Sequence, residues 1–322
     1  MASDPKTLQE AILYFADPKN CREYLVARRW PNGVECPRCG GKNVKFSEKF
    51  NRWQCGSHHE LRQFTLKTGT IFNESPIGLD KWLLTMWQVI NCKNGVSSYE
   101  IAKAIGVTQK SAWFMLHRLR EVMHPASAPK LSGEIECDET FVGGKVSNMH
   151  KSRKRKMQMR SQKGDNKTVV LGLLERDGRV RAAVAPSRHR HEVHSNIAAN
   201  VEAGANLYTD EFVSYDNLPT EFAREFINKL EGYVKGRVHV NGMENFWSLL
   251  KRTLKGTYVS VDPVHLQAYV DEQVFRFNSR KNENDEKIND GERFSMAVTQ
   301  IVDKRLTWNE LTGKEGVPRP TA

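Results

Sequence analysis

Two pairs of metal-ligating side chains constrain the first quarter of this chain more than any other feature. Cys36-Pro37-Arg38-Cys39 sets two thiols three positions apart, and Gly40-Gly41 lets the backbone fold back so that both sulfurs can face one ion. After fifteen intervening residues, Cys55-Gly56-Ser57-His58 repeats the spacing. That arrangement predicts a tetrahedral zinc site with Cys36, Cys39, Cys55 and His58 as ligands, and His59 as the rival for the fourth position. Between the pairs, Val44-Lys45-Phe46 and Arg52-Trp53-Gln54 read as short strands, so residues 34–73 are expected to form a zinc ribbon. A module this small cannot bury a sufficient core, and metal binding would supply most of its folding free energy, on the order of 10 kcal/mol. Four protein ligands leave no open coordination position, which makes the zinc structural and points to an adaptor or DNA-contacting role.

The remaining cysteines add no disulfide framework. There are six in 322 residues, at 21, 36, 39, 55, 92 and 137, and they cluster only once, which suits a reducing compartment. Hydrophobic residues at 39% and charged residues at 27% exclude a disordered or collagen-like chain and an integral membrane protein. The longest apolar run near the start, Ala11 to Ala16, is six residues with no basic lead-in, so no export signal is expected. The expectation is a cytoplasmic, nucleoid-associated protein of about two folded units, at roughly 150 residues each, with no membrane partner.

Charge points to the partner. Forty-nine Lys and Arg against thirty-eight Asp and Glu leave +11 with histidine neutral, a balance that favours polyanions. Residues 145–167 hold nine of the basic residues and one acid, Asp165, and so carry +8 of that excess. The segment has no periodic apolar face and reads as a loop whose densest run, Arg153, Lys154, Arg155 and Lys156, would contact DNA phosphates. A solvated loop and an RNA contact are the other readings.

Upstream of it the pattern is helical. Residues 1–33 read as an N-terminal helical segment, and Leu79, Trp82, Leu83, Met86 and Ile90 recur at helical spacing. Ser97-Ser98-Tyr99-Glu100 predicts a capping box, Gly106 a turn, and Thr108 the cap of a second helix reaching about Met123. Residues 76–126 therefore have helix-turn-helix spacing, with Gln109, Lys110, Ser111 and Arg118 expected to face outward to bases and phosphates. An ordinary helical hairpin is the alternative.

Three acids stand on separate elements further on. Glu134 to Val142 is strand-like and carries Asp138. Thr168 to Leu174 and Val180 to Ala185 are strands joined at Asp177-Gly178, a type I′ turn signal, and residues 192–201 read as a helix. The run from Ala205 to Asp210 is a further strand with an acid at its end, giving the order β-β-β-α-β. Glu244 lies in a helix from Asn241 to Arg252, where about 100° per residue places it and Lys251 on one face, although Asn241 and Glu244 also fit a helix cap. Phosphodiester cleavage needs charge stabilisation of an attacking and a leaving oxygen, and two Mg²⁺ ions held by hard carboxylate oxygens provide it, with Mn²⁺ able to substitute. On this reading Asp138 bridges both ions, Asp210 and Glu244 each complete one shell, and Lys251 neutralises a DNA phosphate.

The segments Thr68-Gly69-Thr70-Ile71-Phe72, Lys81-Trp82-Leu83-Leu84, Thr108-Gln109-Lys110-Ser111-Ala112-Trp113, Asp138-Glu139-Thr140-Phe141-Val142-Gly143-Gly144-Lys145 and Glu244-Asn245-Phe246-Trp247-Ser248-Leu249-Leu250-Lys251-Arg252 resemble bacterial DDE insertion-sequence transposases, specifically the zinc-ribbon family numbered fifteen ninety-five. The likeness runs from about residue 18 to 280. It implies an α/β, RNase H-like catalytic domain over 131–280, with Asp138, Asp210 and Glu244 as the DDE acids and Lys251 as the lysine seven residues beyond the last. Separations of 72 and 34 residues between the acids suit that fold. Asn241 and His239 remain candidates for the third ligand, because the family varies there. Glu139 and Glu211 directly follow the two aspartates, and strand alternation lets at most one of each adjacent pair face the metals.

The resemblance further implies binding to terminal inverted repeats and target DNA, joining of freed 3′ hydroxyls to the target, and a homodimer or larger assembly. A regulator keeping only the recognition modules, and a nuclease without strand transfer, are the contrasting functions. The C-terminal part is expected to support: Asp262-Pro263 starts a packing helix, 281–292 is an exposed polar linker within the segment 281–322, and a last helix lies near Phe294 to Leu306. His189, His191 and His194 are read as a helix start rather than a metal site.

Overall fold

Helix caps set the architecture of the amino-terminal part. The computed structural model describes residues 4–124, 129–144, 151, 155, 167–176, 178–227, 238–282 and 284–314. Residues 1–124 with 279–321 make one unit and 125–278 a second. In the first, α1 (Leu8–Phe15) opens on the Thr7 hydroxyl and α2 (Pro18–Arg29) on the Asp17 carboxylate, with Pro18 in the first turn, where its missing N–H costs nothing. The ribbon follows as the antiparallel strands β1 (Val44–Ser47), β2 (Arg52–Cys55) and β3 (Gln63–Phe64). The third strand was not legible because it is two residues long. Phe46, Trp53 and Phe64 form one cross-strand row, and Trp30 packs edge-on against Trp53 and Phe64.

Three helices complete this stretch: α3 (Leu79–Asn91), α4 (Ser98–Ile105) and α5 (Gln109–Met123). Ser97 and Glu100 form the expected capping box, Gly106 ends α4 at φ 65°, and Thr108 caps α5. From Met115 to Arg120 every residue of α5 is buried, so the carboxyl-terminal part of this helix is core rather than surface.

The described residues of 281–292 are mostly exposed, and the helix expected near Phe294 to Leu306 instead begins at Asp290 and ends at Thr299. The Arg293 guanidinium donates to the Ser279 and Ile288 carbonyls and to Asn91 Oδ1. An Asn289/Glu292 capping box starts a helix at Asp290–Thr299, and a short helix follows at Trp308–Thr312. Phe294 is fully buried and meets Phe15, Tyr24 and Trp87 at ring-centroid distances of 5.0–5.7 Å. Three apolar side chains on one helix face, Phe294, Ala297 and Val298, tie the charged segment to the amino-terminal helices, because burial of each large side chain is worth about 1.5–3 kcal/mol.

The second unit is built on β4 (Glu134–Val142), β5 (Thr168–Glu175), β6 (Val180–Ala185), α6 (Arg190–Asn200), β7 (Asn206–Asp210), β8 (Ala223–Ile227), α7 (Asn241–Thr253) and α8 (Leu266–Asn278). The sheet order is β6-β5-β4-β7-β8. The first three strands form an antiparallel meander, while β7 runs parallel to β4 and β8 parallel to β7. One sheet face packs Ile135, Leu171, Leu173 and Leu207 against Val193 and Ile197 of α6. The other packs Val170 and Leu174 against Met243, Phe246, Trp247 and Leu250 of α7, backed by α8. Asp177 lies outside the described residues, but the β5–β6 connection is not the expected two-residue type I′ turn. Glu175 N–H bonds the Arg179 carbonyl and leaves three residues between them.

Candidate functional site

Strand register brings the two aspartates together. β4 and β7 pair Glu134 with Asn206, Ile135 with Leu207 and Glu136 with Tyr208. Two steps further along this parallel ladder Asp138 and Asp210 stand level, on the same face as Glu136 because side chains alternate. Helix α7 crosses that face, burying Met243, Phe246, Trp247 and Leu250 and carrying Glu244, Ser248 and Lys251 along the border of the buried stripe. An open cleft of ≈ 430 Å³ results, lined by Asp138, Glu139, Thr140, Asp210 and Glu244, with Trp247, Ser248 and Lys251. The carboxylate oxygens of Asp138, Asp210 and Glu244 are spread wider than a single cluster of 4.8 Å.

Several contacts position these acids. Trp247 Nε1 donates to Asp138 Oδ2 at 3.0 Å. Gly172, the β5 partner of Asp138, makes room for the indole: a Cβ there would lie 2.5 Å from Trp247 Cζ2. The start of α7 has no side-chain cap of its own, since Val240 occupies the cap position. Instead the buried Glu136 carboxylate accepts from the Met243 N–H at 3.0 Å and is balanced by Arg176 Nε at 3.4 Å. The cap alternative for Asn241 and Glu244 is therefore not adopted. His239 Nδ1 sits 3.3 Å from Glu136 Oε1, and neither His239 nor Asn241 lines the cleft.

Of the acidic neighbours, Glu139 lines the cleft and Glu211 does not. Glu139 accepts from the Tyr215 hydroxyl at 3.1 Å and lies 3.8 Å from the Arg188 guanidinium. Burial, and then the nearby Asp210 charge, push its carboxyl above the ordinary range. Strand alternation let at most one of Asp138 and Glu139 face the metals, whereas both border the cleft.

In the ribbon, Cys36, Cys39, Cys55 and His59 bring one ligand atom each within 4.8 Å of the others. The fourth member is His59 and not His58, which is exposed. Cys36 Sγ is 3.5 Å from His59 Nε2, and Cys39 Sγ is 3.7 Å from Cys55 Sγ. His59 Nδ1 lies 2.6 Å from the Glu60 carbonyl, which leaves Nε2 to face the sulfurs. Burial would raise the Cys55 thiol, but hydrogen bonds from His59 and Ser57 bring it down to about 6, the direction a metal-binding thiolate requires. Three thiolates and one imidazole form a donor set that fits Zn²⁺. Among the described residues this is the one such group, and His189, His191 and His194 form none.

Comparison with known proteins assigns both regions. Residues 130–278 match the family described as ISXO2-like transposase domain, and residues 17–57 match the transposase zinc-ribbon domain. The chain belongs to the zinc-ribbon family of insertion-sequence transposases. It is 28% identical over 256 residues to an uncharacterized protein in transposable element ISH50 of Halobacterium salinarum, covering 76% of this chain and 85% of that one. Over 102 residues it is 30% identical to an uncharacterized transposase-like protein of Haemophilus influenzae, covering 31% of this chain and 82% of the relative.

The transposase's expected DNA-facing residues fall into different classes. Arg118 is buried, donates to the Asn73 carbonyl at 2.8 Å, and lies 5.5 Å from the Trp82 ring. Burial lowers its guanidinium to about 10. It is a core residue, which corrects the outward placement; the amphipathic pattern hid this because arginine is normally a surface residue. Gln109 Nε2 donates to Ser98 Oγ at 2.9 Å, and Lys110 Nζ sits 4.5 Å over the Trp308 ring. Lys251 lines the acidic cleft, and Arg155 is exposed. Arg153, Lys154 and Lys156 lie outside the described residues. No helix among the described residues is long and apolar enough to cross a membrane.

Proposed function

We propose that this chain is a DNA transposase that binds the inverted-repeat ends of its element, cleaves phosphodiester bonds there and joins the freed 3′ hydroxyls to target DNA. The observation that carries this reading is the convergence of Asp138, Asp210, Glu244 and Lys251 from two strands and a helix on one cleft. A sheet ordered β6-β5-β4-β7-β8 with only its first three strands antiparallel supports reading the domain as RNase H-like. The donors are hard carboxylate oxygens and fit Mg²⁺ or Mn²⁺. Two ions about 3.5–4 Å apart would serve the attacking and leaving oxygens together, and three carboxylates along one cleft could be divided between them. When bound, the ions stabilise the attacking and leaving oxygens at phosphorus.

The chain's own residues do the rest. Asp138, Asp210 and Glu244 hold the ions, Trp247 fixes the Asp138 carboxylate, and Lys251 neutralises the phosphate next to the scissile bond. Water attacks in the first step and leaves a 3′ hydroxyl; that hydroxyl attacks target DNA in the second and displaces a 3′ oxygen there, so no covalent enzyme intermediate is needed. Two ends must be processed together, which calls for a homodimer or larger assembly. The deciding experiment incubates the zinc-loaded protein with labelled element ends, supercoiled plasmid and Mg²⁺. Joined products that vanish in Asp138→Ala while end binding persists support the reading. Hydrolysis without joining makes the protein a nuclease, and binding without cleavage makes it a regulator.

A further inference from the structure

The ribbon sheet has two unlike faces. Phe46, Trp53 and Phe64 turn to the apolar side, and Trp30 covers the last two. Strand alternation puts Lys45, Gln54 and Gln63 in one cross-strand row on the other side, with Arg52 two residues from Gln54 on β2. Lys45 and Gln63 are exposed and Gln54 and Arg52 half-buried. Among the described residues neither glutamine amide has a hydrogen-bond partner. An open groove of ≈ 590 Å³ runs along this side past Arg52, Gln54, Arg62, Gln63, Thr65 and Thr68, and no acid lines it.

We infer that this outward face, the row Lys45–Gln54–Gln63 with Arg52, reads base edges in the major groove of duplex DNA. The inference rests on the end-binding function proposed above and assigns its sequence-reading surface. Four arguments support it. Glutamine amides pair with the N6 and N7 edge of adenine and arginine with the O6 and N7 edge of guanine; both glutamine amides are without protein partners among the described residues, and Arg52 lies 4.7 Å from the Phe50 ring.

The charge is complementary. Residues 36–68 contain seven Lys and Arg against two acids, or +5, and three thiolates with one Zn²⁺ reduce this only by one. Spacing also fits, since a row across three strands about 4.8 Å apart spans roughly 10 Å, about three base-pair steps of roughly 3.4 Å along the duplex. Finally, the helix expected to do the reading is largely committed elsewhere, with Arg118 buried, Gln109 bonded to Ser98 and Lys110 seated on Trp308.

The test is selection from a random duplex library by the full zinc-loaded chain, followed by measurement of selected and bulk duplex affinities. The natural protein should enrich a motif. Gln54→Ala with Gln63→Ala should keep its zinc and its affinity for bulk duplex, but lose preference at adjacent base pairs and about tenfold or more in selectivity. Lys45→Ala should lose preference at one neighbouring base pair, by about fivefold or more. Gln54→Arg should move the preferred base from adenine towards guanine, a change that simple loss of folding cannot produce. An unchanged motif in both the double variant and Gln54→Arg overturns the inference and leaves the end-binding function standing. Enrichment of no motif by the natural protein overturns that function, and the inference with it.

Discussion

Trp247 Nε1 donates a hydrogen bond to Asp138 Oδ2 across 3.0 Å, joining the helix that carries Glu244 to the central strand of the sheet. A hydrogen bond to a charged acceptor is worth about 1.5–3 kcal/mol, so the indole helps to hold the rotamer of this carboxylate. Trp247→Phe keeps most of the packing and removes the donor. DNA cleavage should fall roughly tenfold, with a higher Mg²⁺ requirement and unchanged DNA binding. A variant that cleaves at the natural rate would show that the bond is incidental.

His59 completes the ribbon's ligand set and His58 does not. Zinc content by atomic absorption should fall from about one ion per chain in the natural protein to well below one in His59→Ala, and stay at the natural level in His58→Ala. Chelation should unfold the ribbon, since metal binding supplies most of its stability. Equal zinc loss in the two variants would contradict the geometry.

Glu136 is a buried acid whose role is to hold the first turn of α7 through the Met243 N–H, with Arg176 as its counter-charge. Glu136→Ala leaves the Met243 N–H without this acceptor while Arg176 keeps Glu134 and the His239 carbonyl, and a buried donor deprived of its partner costs about 1–3 kcal/mol. Urea unfolding should show a loss of that size, and a smaller one for Glu136→Gln, which still accepts from the N–H. Gly172→Ala should destabilise by about 1–3 kcal/mol, because its methyl would collide with Trp247 and Met243.

The raised Glu139 carboxyl sets a pH dependence. Burial and Asp210 disfavour its ionised form in the folded chain, so the stability it contributes is present below the ordinary carboxyl value and declines as pH rises through the folded one. Glu139→Gln cannot ionise. In Mg²⁺-free buffer it should match the natural protein at acid pH and exceed its urea midpoint at neutral pH; a lower midpoint at neutral pH would reverse the assigned sign.

Arg118 gives the opposite outcome from a DNA contact. Arg118→Ala should lower the unfolding midpoint, because it leaves the Asn73 carbonyl without this donor and a void beside Trp82. DNA affinity measured well below that midpoint should be unchanged. A selective loss of DNA affinity with no loss of stability would return Arg118 to the surface.

The sequence by itself determined the local features: the capping box at Ser97 and Glu100, the β4 span from Glu134 to Val142, the helix carrying Glu244 and Lys251, and the thiol pair at Cys36 and Cys39. These depend on interactions a few residues long, so spacing and propensity suffice to reveal them. Only the tertiary structure decided that His59 rather than His58 reaches the sulfurs, that Arg118 is buried, that Glu139 borders the acidic cleft, and that Phe294 ties the C-terminal segment to the amino-terminal helices. Each of those depends on which side chains meet across long stretches of chain. No local pattern encodes that, because the deciding energies are packing and desolvation between elements rather than preferences within one.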